Sequence, residues 1–311
     1  MCKPSRWLSR RAKAGTSTAI WGQEEPTLQI FDPTPCDLGE GPMWHPEAQA
    51  FFWFDILGQK LFRKTGGLLT HWDFDAPVSA AGWVDANHLL VASATALMRF
   101  DIRDGTRQVV APLEADNPAT RSNDGRADPF GGFWIGTTGL NAERGAGAIY
   151  RYYRGEVRRL FAGISIPNAI CFPADGTIAY FADSMLGKIM KVTLDGAGWP
   201  SGTPAVFVDL GTGGPAPDGA VVDRDGFVWN AQWGASRVAR YAPDGQVDQV
   251  IDLPTAHVTC PAFGGADLGD LLITSARQGL DQTALASQPT AGQTFLVRPG
   301  VPGRAEHRVI L

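Results

Sequence analysis

The chain has few cysteines, no excess of positive charge and no long apolar run. Its four cysteines, Cys2, Cys36, Cys171 and Cys260, are widely spaced and form no CxxC pair. This spacing argues against a zinc ribbon or a dense disulfide framework and favours a reducing cytoplasm. The net charge of −5 leaves no basic stripe for a phosphate backbone, and no segment approaches the roughly 18 apolar residues of a membrane span. We therefore expect a cytoplasmic protein that binds neither nucleic acid nor membranes.

The sequence also lacks the common motifs of catalysis. Its five histidines show no HxH or HExxH spacing, so no histidine-built zinc site is predicted. No GxSxG nucleophile motif occurs, and the glycine-rich stretches "GEGPMW", "GAGAIY" and "GTGGPA" do not complete a dinucleotide-binding fingerprint. Serine-nucleophile, histidine-zinc and dinucleotide chemistry are therefore not supported.

What the sequence does contain is a repeated pattern of short strands. Hydrophobic residues make up 44%, and 37 Gly with 22 Pro suit many strands joined by tight turns. Six segments share an apolar run, a brief turn and a second apolar run. A small or polar residue at the end of the first run recurs roughly every 38 to 49 residues, the spacing of β-propeller blades, at Asp55, Ser93, Thr137, Asp183, Gln232 and Ser275. The sequence therefore predicts an all-β, six-bladed β-propeller.

The repeat also fixes the predicted domain organisation. One blade cannot bury both of its faces alone, so residues 28–311 are expected to form a single propeller domain. The strands "TLQIF" near the start and "HRVIL" at the end are predicted to complete a shared last blade. Residues 1–27 are basic but lack the apolar run of a signal peptide. We expect them to be a disordered N-terminal extension.

Two copies of the tripeptide PDG occur in different contexts. Asp244, in "RYAPDGQV", lies between two apolar runs and is predicted to be an ordinary hairpin turn. Asp218, in "PDGAVVDRDG", follows the long connection "GTGGPAP" and begins a new blade. The starts of blades lead toward the central channel, so Asp218 is a candidate site residue.

Two other blades begin with an oxygen donor. Glu40 precedes "PMW" and Asn168 precedes "AICF". Taken singly, Glu40 could be a solvated loop acid and Asn168 a turn former. Together with Asp218 they suggest a site for a hard cation such as Ca²⁺, Mg²⁺ or Mn²⁺.

A fourth blade begins with "RSNDGRADPFGG". Asn-Asp-Gly is usually a hairpin signal, but the hairpin turn here is expected at the following "DPFGG". Arg121, Asn123 and Asp124 are therefore predicted to be channel-facing groups on a loop, with turn capping as the alternative for Asn123 and Asp124.

These motifs resemble those of the gluconolactonase, senescence marker protein and luciferin-regenerating enzyme family, also called regucalcin-like. The resemblance covers roughly residues 28 to 311 and lies in "LGEGPMWHPEAQAFFWFDI", "RSNDGRADPFGGFWIGT", "IPNAICFPADGTIAYFADS", "PDGAVVDRDGFVWNAQW" and "CPAFGGADLGDLLITSA".

The resemblance implies a propeller with one divalent metal held by Glu40, Asn168 and Asp218. The candidate metals are Ca²⁺, Mg²⁺, Mn²⁺, Zn²⁺ and Fe²⁺, with Ca²⁺ favoured. The resemblance also implies that Arg121 and Asn123 bind the substrate. The chain departs from the family pattern at Ala169, where Gly is usual, and near Asn141, where mammalian members carry acidic residues. Asn141 is our third candidate for substrate binding.

The resulting functional hypothesis is a metal-dependent hydrolase that opens a sugar lactone, a gluconolactone or pentonolactone, to the aldonic acid. Asp218 is the candidate for both metal ligand and general base. The alternatives are a paraoxonase- or organophosphatase-like esterase and a calcium-binding propeller without catalysis. We expect a small sugar lactone as the partner, and a monomer or weak homo-oligomer.

Overall fold

Short strands joined by tight turns account for nearly all of the structure. The computed structural model describes residues 27–311, so the predicted extension over residues 1–27 lies, except for Thr27, outside the described residues. In this part of the chain twenty-four strands form six four-stranded antiparallel sheets. No helix of these residues is long and apolar enough to cross a membrane. The predicted six-bladed β-propeller is confirmed.

Blades 1 to 3 are continuous in sequence and run from the innermost to the outermost strand. Preceding them is β1 (Gln29–Asp32). Their strands are β2 (Gly39–His45), β3 (Ala50–Asp55), β4 (Lys60–Thr65) and β5 (Leu68–Asp73); β6 (Val78–Asp85), β7 (His88–Ser93), β8 (Ala96–Asp101) and β9 (Arg107–Pro112); and β10 (Thr120–Ala127), β11 (Phe133–Gly139), β12 (Gly147–Tyr153) and β13 (Glu156–Ile164).

Blades 4 and 5 repeat this order, and blade 6 borrows β1 as its outermost strand. A single 3₁₀ turn, Ser184–Leu186, and one short helix, α1 (Gln282–Ser287), interrupt them. Their strands are β14 (Pro167–Cys171), β15 (Ile178–Asp183), β16 (Lys188–Leu194) and β17 (Pro200–Asp209); β18 (Ala216–Val222), β19 (Val228–Trp233), β20 (Arg237–Tyr241) and β21 (Val247–Asp252); and β22 (Val258–Gly264), β23 (Asp270–Ser275) and β24 (Thr294–Val297).

Burial falls from the innermost to the outermost strand of each blade. Every residue of β2 and β3 is buried, whereas β5 alternates between exposed and half-buried positions. Large aromatic side chains fill the spaces between blades, because both faces of each blade are buried against the neighbouring blades. The fully buried Trp53, Trp134 and Trp229 lie in three separate clusters that each join adjacent blades.

All six innermost strands, which contact one another around the axis, carry a bulge in their first half. A bulge adds a residue on one strand and re-aims the side chains beside it. The shifts in register lie between Glu40 and Met43, Val78 and Ala80, Ser122 and Gly125, Asn168 and Cys171, Pro217 and Ala220, and Val258 and Pro261. Every blade thus has an equivalent position from which a side chain can enter the channel.

The ring is closed by only one of the two predicted terminal strands. β1 pairs antiparallel with β24, as expected for "TLQIF". The prediction for "HRVIL" is wrong, because residues 304–311 form no strand. The apolar Val309 and Ile310 of that segment bind elsewhere: their amides donate to Trp83 and Gly131 at 2.9 Å, in blades 2 and 3.

The C-terminal segment, residues 301–311, crosses the channel at the end where the innermost strands finish. Its backbone meets the turns after β18 and β22 through Arg224 and Leu268. Val309 is completely buried in the cluster between blades 2 and 3. A Cβ on Gly82 would lie 2.6 Å from the Val309 side chain, so the blade leaves space for this segment. The segment therefore covers the end of the channel opposite the starts of the innermost strands.

Candidate functional site

A cavity of about 440 Å³ lies at the other end of the channel, where the innermost strands begin. The six residues predicted for metal and substrate binding all line this cavity: Glu40, Arg121, Asn123, Asn141, Asn168 and Asp218. Four different blades contribute them. Their convergence follows from the equivalent bulges, since five of the six lie in innermost strands.

Two buried carboxyl groups face each other in this cavity. Glu40 and Asp218 are 6% and 5% exposed, and their side chains are close enough to hydrogen-bond when one of them is protonated. Burial, followed by the repulsion between nearby carboxylates, raises the pKa of both groups well above the usual range. The Gly41 amide donates to Glu40 Oε2 at 3.1 Å, whereas Asp218 Oδ1 is buried and accepts no hydrogen bond from residues 27–311.

Asn168 supplies the third oxygen donor, and hydrogen bonds fix the orientation of its amide. Its Nδ2 donates to Ser184 Oγ at 2.8 Å, and Ser184 Oγ donates to the Pro217 carbonyl at 2.6 Å. Its Oδ1 accepts from Asn123 Nδ2 at 3.0 Å and keeps a second lone pair. The amide oxygen is thereby turned toward the cavity that Glu40 and Asp218 share.

This donor set fits a divalent cation. Two buried carboxylates repel each other, and the nearby Arg121 offsets only part of this at Glu40. A cation between them would remove the repulsion. Asp218 Oδ1, which accepts no hydrogen bond from residues 27–311, is available to such a cation. Among residues 27–311 no three His, Cys, Asp or Glu side chains form a metal cluster. The amide oxygen of Asn168 would add a third oxygen donor, and such a set suits hard cations.

Arg121 has donors left over for a ligand. Its Nη1 donates to the Ser122 carbonyl at 2.8 Å and to Asn123 Oδ1 at 2.9 Å. Within the described chain, its Nε and Nη2 donate to no protein atom, although Arg121 is only 9% exposed. Three N–H donors, one on Nε and two on Nη2, thus remain for a carboxylate or for hydroxyl groups.

Hydrogen bonds within the protein already use most of the Asn123 side chain, which the sequence did not predict. Both hydrogens of its amide are used, by the Pro167 carbonyl and by Asn168 Oδ1, each at 3.0 Å. Only its Oδ1, which already accepts from Arg121, can take a further hydrogen bond from a ligand. Asn123 therefore links Arg121 to Asn168 and orients both.

The prediction that Arg121, Asn123 and Asp124 lie on a loop is wrong. All three belong to strand β10, whose bulge begins after Ser122. Asp124 does not line the cavity, because its Oδ2 accepts from the Ile170 amide at 2.8 Å and ties blade 3 to blade 4. Burial raises the pKa of Asp124 to about 6.

Asn141 lies at the rim, in the turn between β11 and β12. Its backbone amide and its Nδ2 both bind the Glu143 carboxylate, at 3.1 and 2.9 Å. The side chain is exposed and its Oδ1 accepts no hydrogen bond within residues 27–311. The acidic group that the sequence places after Asn141 thus orients this turn.

Two supporting residues escaped the sequence analysis. Ser184 fixes Asn168, and Asn230 donates from Nδ2 to the carbonyls of Asp218 and Gly219 at 2.8 and 3.2 Å, which holds the bulge at Asp218. Ser184 follows the strand-ending Asp183, and Asn230 lies inside β19. Neither residue belongs to a sequence motif, because the role of each depends on which strand lies next to it in the fold.

The second PDG has the structure predicted for it. Asp244 lies in the turn between β20 and β21, where its Oδ1 accepts from the Gln246 amide at 3.0 Å. It is exposed. Asp218 and Asp244 thus share a tripeptide but not an environment.

Comparison with known proteins agrees with the architecture. The family model described as SMP-30/Gluconolactonase/LRE-like region matches residues 38–277. The L-arabinolactonase of Azospirillum brasilense is 38% identical over 278 residues, covering 87% of this chain and 91% of the relative. The 6-deoxy-6-sulfogluconolactonase of Pseudomonas putida is 35% identical over 286 residues, covering 90% and 97%.

A solved structure extends the similarity to the whole propeller. The crystal structure of a calcium-binding protein, regucalcin, from Agrobacterium tumefaciens superposes with a TM-score of 0.90 at 41% identity. The match covers 92% of this chain and 98% of that chain. The resemblance noted in the sequence is confirmed.

Proposed function

Because the chain belongs to the SMP-30/gluconolactonase/LRE-like family, we propose that it hydrolyses a small sugar lactone to the corresponding aldonic acid. The observation that carries this proposal is the juxtaposition in one cavity of Asp218 and Arg121. Asp218 has a buried oxygen that accepts no hydrogen bond from residues 27–311, and Arg121 has unused donors on Nε and Nη2. One group can handle the proton of a water molecule and the other can bind the oxygen-rich substrate. The two lactonase relatives support the same reaction class.

The proposal includes a divalent cation, for which Ca²⁺ is favoured. Glu40, Asn168 and Asp218 would hold it. When bound, it would supply Lewis-acid polarisation of the lactone carbonyl. The calcium-binding regucalcin at 41% identity supports this choice.

The chain's own residues would carry the remaining steps. Asp218 takes a proton from water, the water oxygen bonds to the carbonyl carbon, and the ring C–O bond then breaks. The departing ring oxygen recovers the proton and becomes a hydroxyl group of the product. Arg121 hydrogen-bonds the substrate hydroxyls. After ring opening the new carboxylic acid loses its proton to solvent, and Arg121 pairs with the resulting carboxylate. Asn123 keeps Arg121 in position through its Oδ1.

The lining of the cavity favours a polyhydroxylated substrate of five or six carbons. An apolar substrate would remove water from Arg121 and from the free Asn141 oxygen without replacing their hydrogen bonds. Each polar group left unpaired costs about 1–3 kcal/mol. A site built for hydroxyl groups therefore rejects analogues that lack them.

A substrate panel tests this proposal. We expect kcat/KM for aldonolactones, measured with saturating Ca²⁺, to exceed that for phenyl acetate and for a phosphotriester by at least about 100-fold, because two unpaired polar groups suffice for that ratio. Each reaction is followed with and without chelator. Higher efficiency on the aryl ester or the phosphotriester would favour the esterase alternative. Cation binding without any turnover would favour a non-catalytic calcium-binding propeller.

A thermal-shift experiment tests the cation separately from catalysis. At a cation concentration of about 100 times Kd, binding stabilises the folded state by about 2.7 kcal/mol, which raises Tm by about 5 °C for a chain of this size. We expect this shift for the wild type with Ca²⁺ against chelator, and its loss in Glu40→Gln. The matched control is Glu47→Gln, in the exposed turn after β2, which should keep the full shift. A shift retained in Glu40→Gln would contradict the assignment.

A further inference from the structure

The cavity is lined by polar side chains, by small and medium apolar side chains and by one large aromatic side chain. Glu40, Arg121 and Asn123 are polar and buried. Trp233, the last residue of β19, lines the same cavity and is only half-buried. The cavity therefore offers hydrogen-bonding groups on one side and an aromatic ring on another.

The ring of Trp233 is held in place by a second ring. His257 stacks on it with centroids 3.9 Å apart and an interplanar angle of 13°. His257 covers one indole face, and Leu38, Ile56 and Ala276 pack against the same side chain. The side chain nevertheless stays half-buried and lines the cavity.

The stacking partner is itself fixed and uncharged. His257 Nδ1 lies 2.8 Å from the Gln278 carbonyl, and because a carbonyl only accepts, Nδ1 carries the hydrogen. Burial lowers the pKa of His257 below its ordinary value, so the ring is neutral at pH 7. The Gly234 and Ser236 amides donate to the Ala256 carbonyl at 3.0 and 3.3 Å, which joins the two turns. The pair is thus positioned before any ligand arrives.

A sugar lactone matches these two walls. Its hydroxyl groups point outward around the ring, while the C–H groups form a flatter apolar face. The C–H face can cover an aromatic ring and release water from both surfaces, while the hydroxyl edge meets Arg121. The indole Nε1, which donates to no protein atom of residues 27–311, could bind one further hydroxyl. A preorganised platform loses little entropy when the ligand is bound.

From this arrangement we propose that Trp233, backed by His257, is a specificity-determining platform that binds the C–H face of a closed lactone ring. The proposal rests on the lactonase function proposed above. It predicts a difference between closed-ring and open-chain ligands that a general loss of structure would not produce. The closed-ring substrate should need the platform, whereas the open-chain acid product, which has no flat face, should not.

The test compares Trp233→Leu with the wild type on an aldonolactone, on the aldonate product and on the lactam of the same ring size. We expect KM for the lactone and Kd for the lactam to rise about tenfold, equivalent to about 1.4 kcal/mol, with kcat within about twofold. The product inhibition constant should stay within about twofold. Trp233→Phe should recover most of the binding. Trp199→Leu, a half-buried tryptophan outside the cavity, is the matched control and should change none of these constants.

The outcomes separate the two proposals. If the wild type turns over lactones but Trp233→Leu leaves KM and the lactam Kd unchanged, the platform is overturned and the lactonase function stands. If the product constant rises as much as KM, the substitution has damaged the cavity as a whole and the platform is again overturned. If no lactone is hydrolysed, the lactonase function fails, and the lactam titration alone decides whether Trp233 binds a closed ring.

Discussion

Asp218→Asn should lower kcat for lactone hydrolysis by about 10²- to 10⁴-fold, whereas Asp244→Asn should leave it within about twofold. Removal of a general base typically costs this much, and loss of one negative charge from the cation site would add to it. The two residues occur in the same tripeptide, so local sequence is matched between the variants. Turnover of an aldonolactone at saturating Ca²⁺ is the measurement.

The reason for the difference is the environment of the two carboxyl groups. Asp218 is buried at a bulge of an innermost strand, faces Glu40 and has an oxygen to which no donor of residues 27–311 hydrogen-bonds. Asp244 is exposed, and its Oδ1 serves only the Gln246 amide of its own turn. Asparagine can accept the same hydrogen bond from that amide, so the turn survives substitution at Asp244.

Circular dichroism and the Tm of each variant in chelator serve as the folding control. Equal activity losses in the two variants, with both folds intact, would remove Asp218 from its proposed role. An Asp218→Asn variant that keeps more than a tenth of the wild-type kcat would also contradict the assignment as general base.

The periodic part of this fold could be predicted from sequence. The six residues chosen as the ends of strands lie at, or within two residues of, the end of the second strand in every blade, from Asp55 in β3 to Ser275 in β23. The alternation of apolar runs and turns is a local property, and propeller blades repeat it. Glu40, Asn168 and Asp218 converge because each lies at or within the bulge of the innermost strand of its own blade.

What sequence could not predict depends on contacts between distant segments. The orientation of Asn168 depends on Ser184, and the stacking of Trp233 depends on His257, which lies in the next blade. Asp124 was grouped with the cavity because it is adjacent to Asn123, but the bulge turns it toward Ile170. The residue pattern shows which strand a side chain is on, and the bulge decides where it points.

The failed prediction for "HRVIL" has the clearest physical cause. With β1 as its fourth strand, blade 6 already has the same number of strands as the other blades and needs no further strand to close the ring. The segment instead buries Val309 between blades 2 and 3. The residue just before this segment, Glu306, then pairs with a buried arginine.

That arginine is Arg126, near the end of strand β10. Its Nη1 pairs with the Glu306 carboxylate, and its Nη2 donates to the Ala220 carbonyl in blade 5 at 3.1 Å. Both side chains are 10% exposed. Arg126 Nε is buried and has no hydrogen-bond partner in residues 27–311. Burial acts to lower the pKa of Arg126, but Glu306 together with other nearby acidic groups such as Asp124 raises it above the ordinary value, so the group stays charged.

Glu306→Gln should therefore lower the free energy of unfolding by about 3 kcal/mol, because breaking a buried ion pair leaves the remaining charge uncompensated. In urea the midpoint should fall with the slope m unchanged. The double variant Arg126→Met with Glu306→Gln should recover most of the loss, since it removes the orphaned charge as well. The control is Asp267→Asn, which breaks the exposed pair with Arg298 while Asp270 still binds that arginine at 2.8 Å, and its midpoint should not move. A Glu306→Gln midpoint equal to that of the control would mean that the C-terminal segment does not pair with Arg126 in solution.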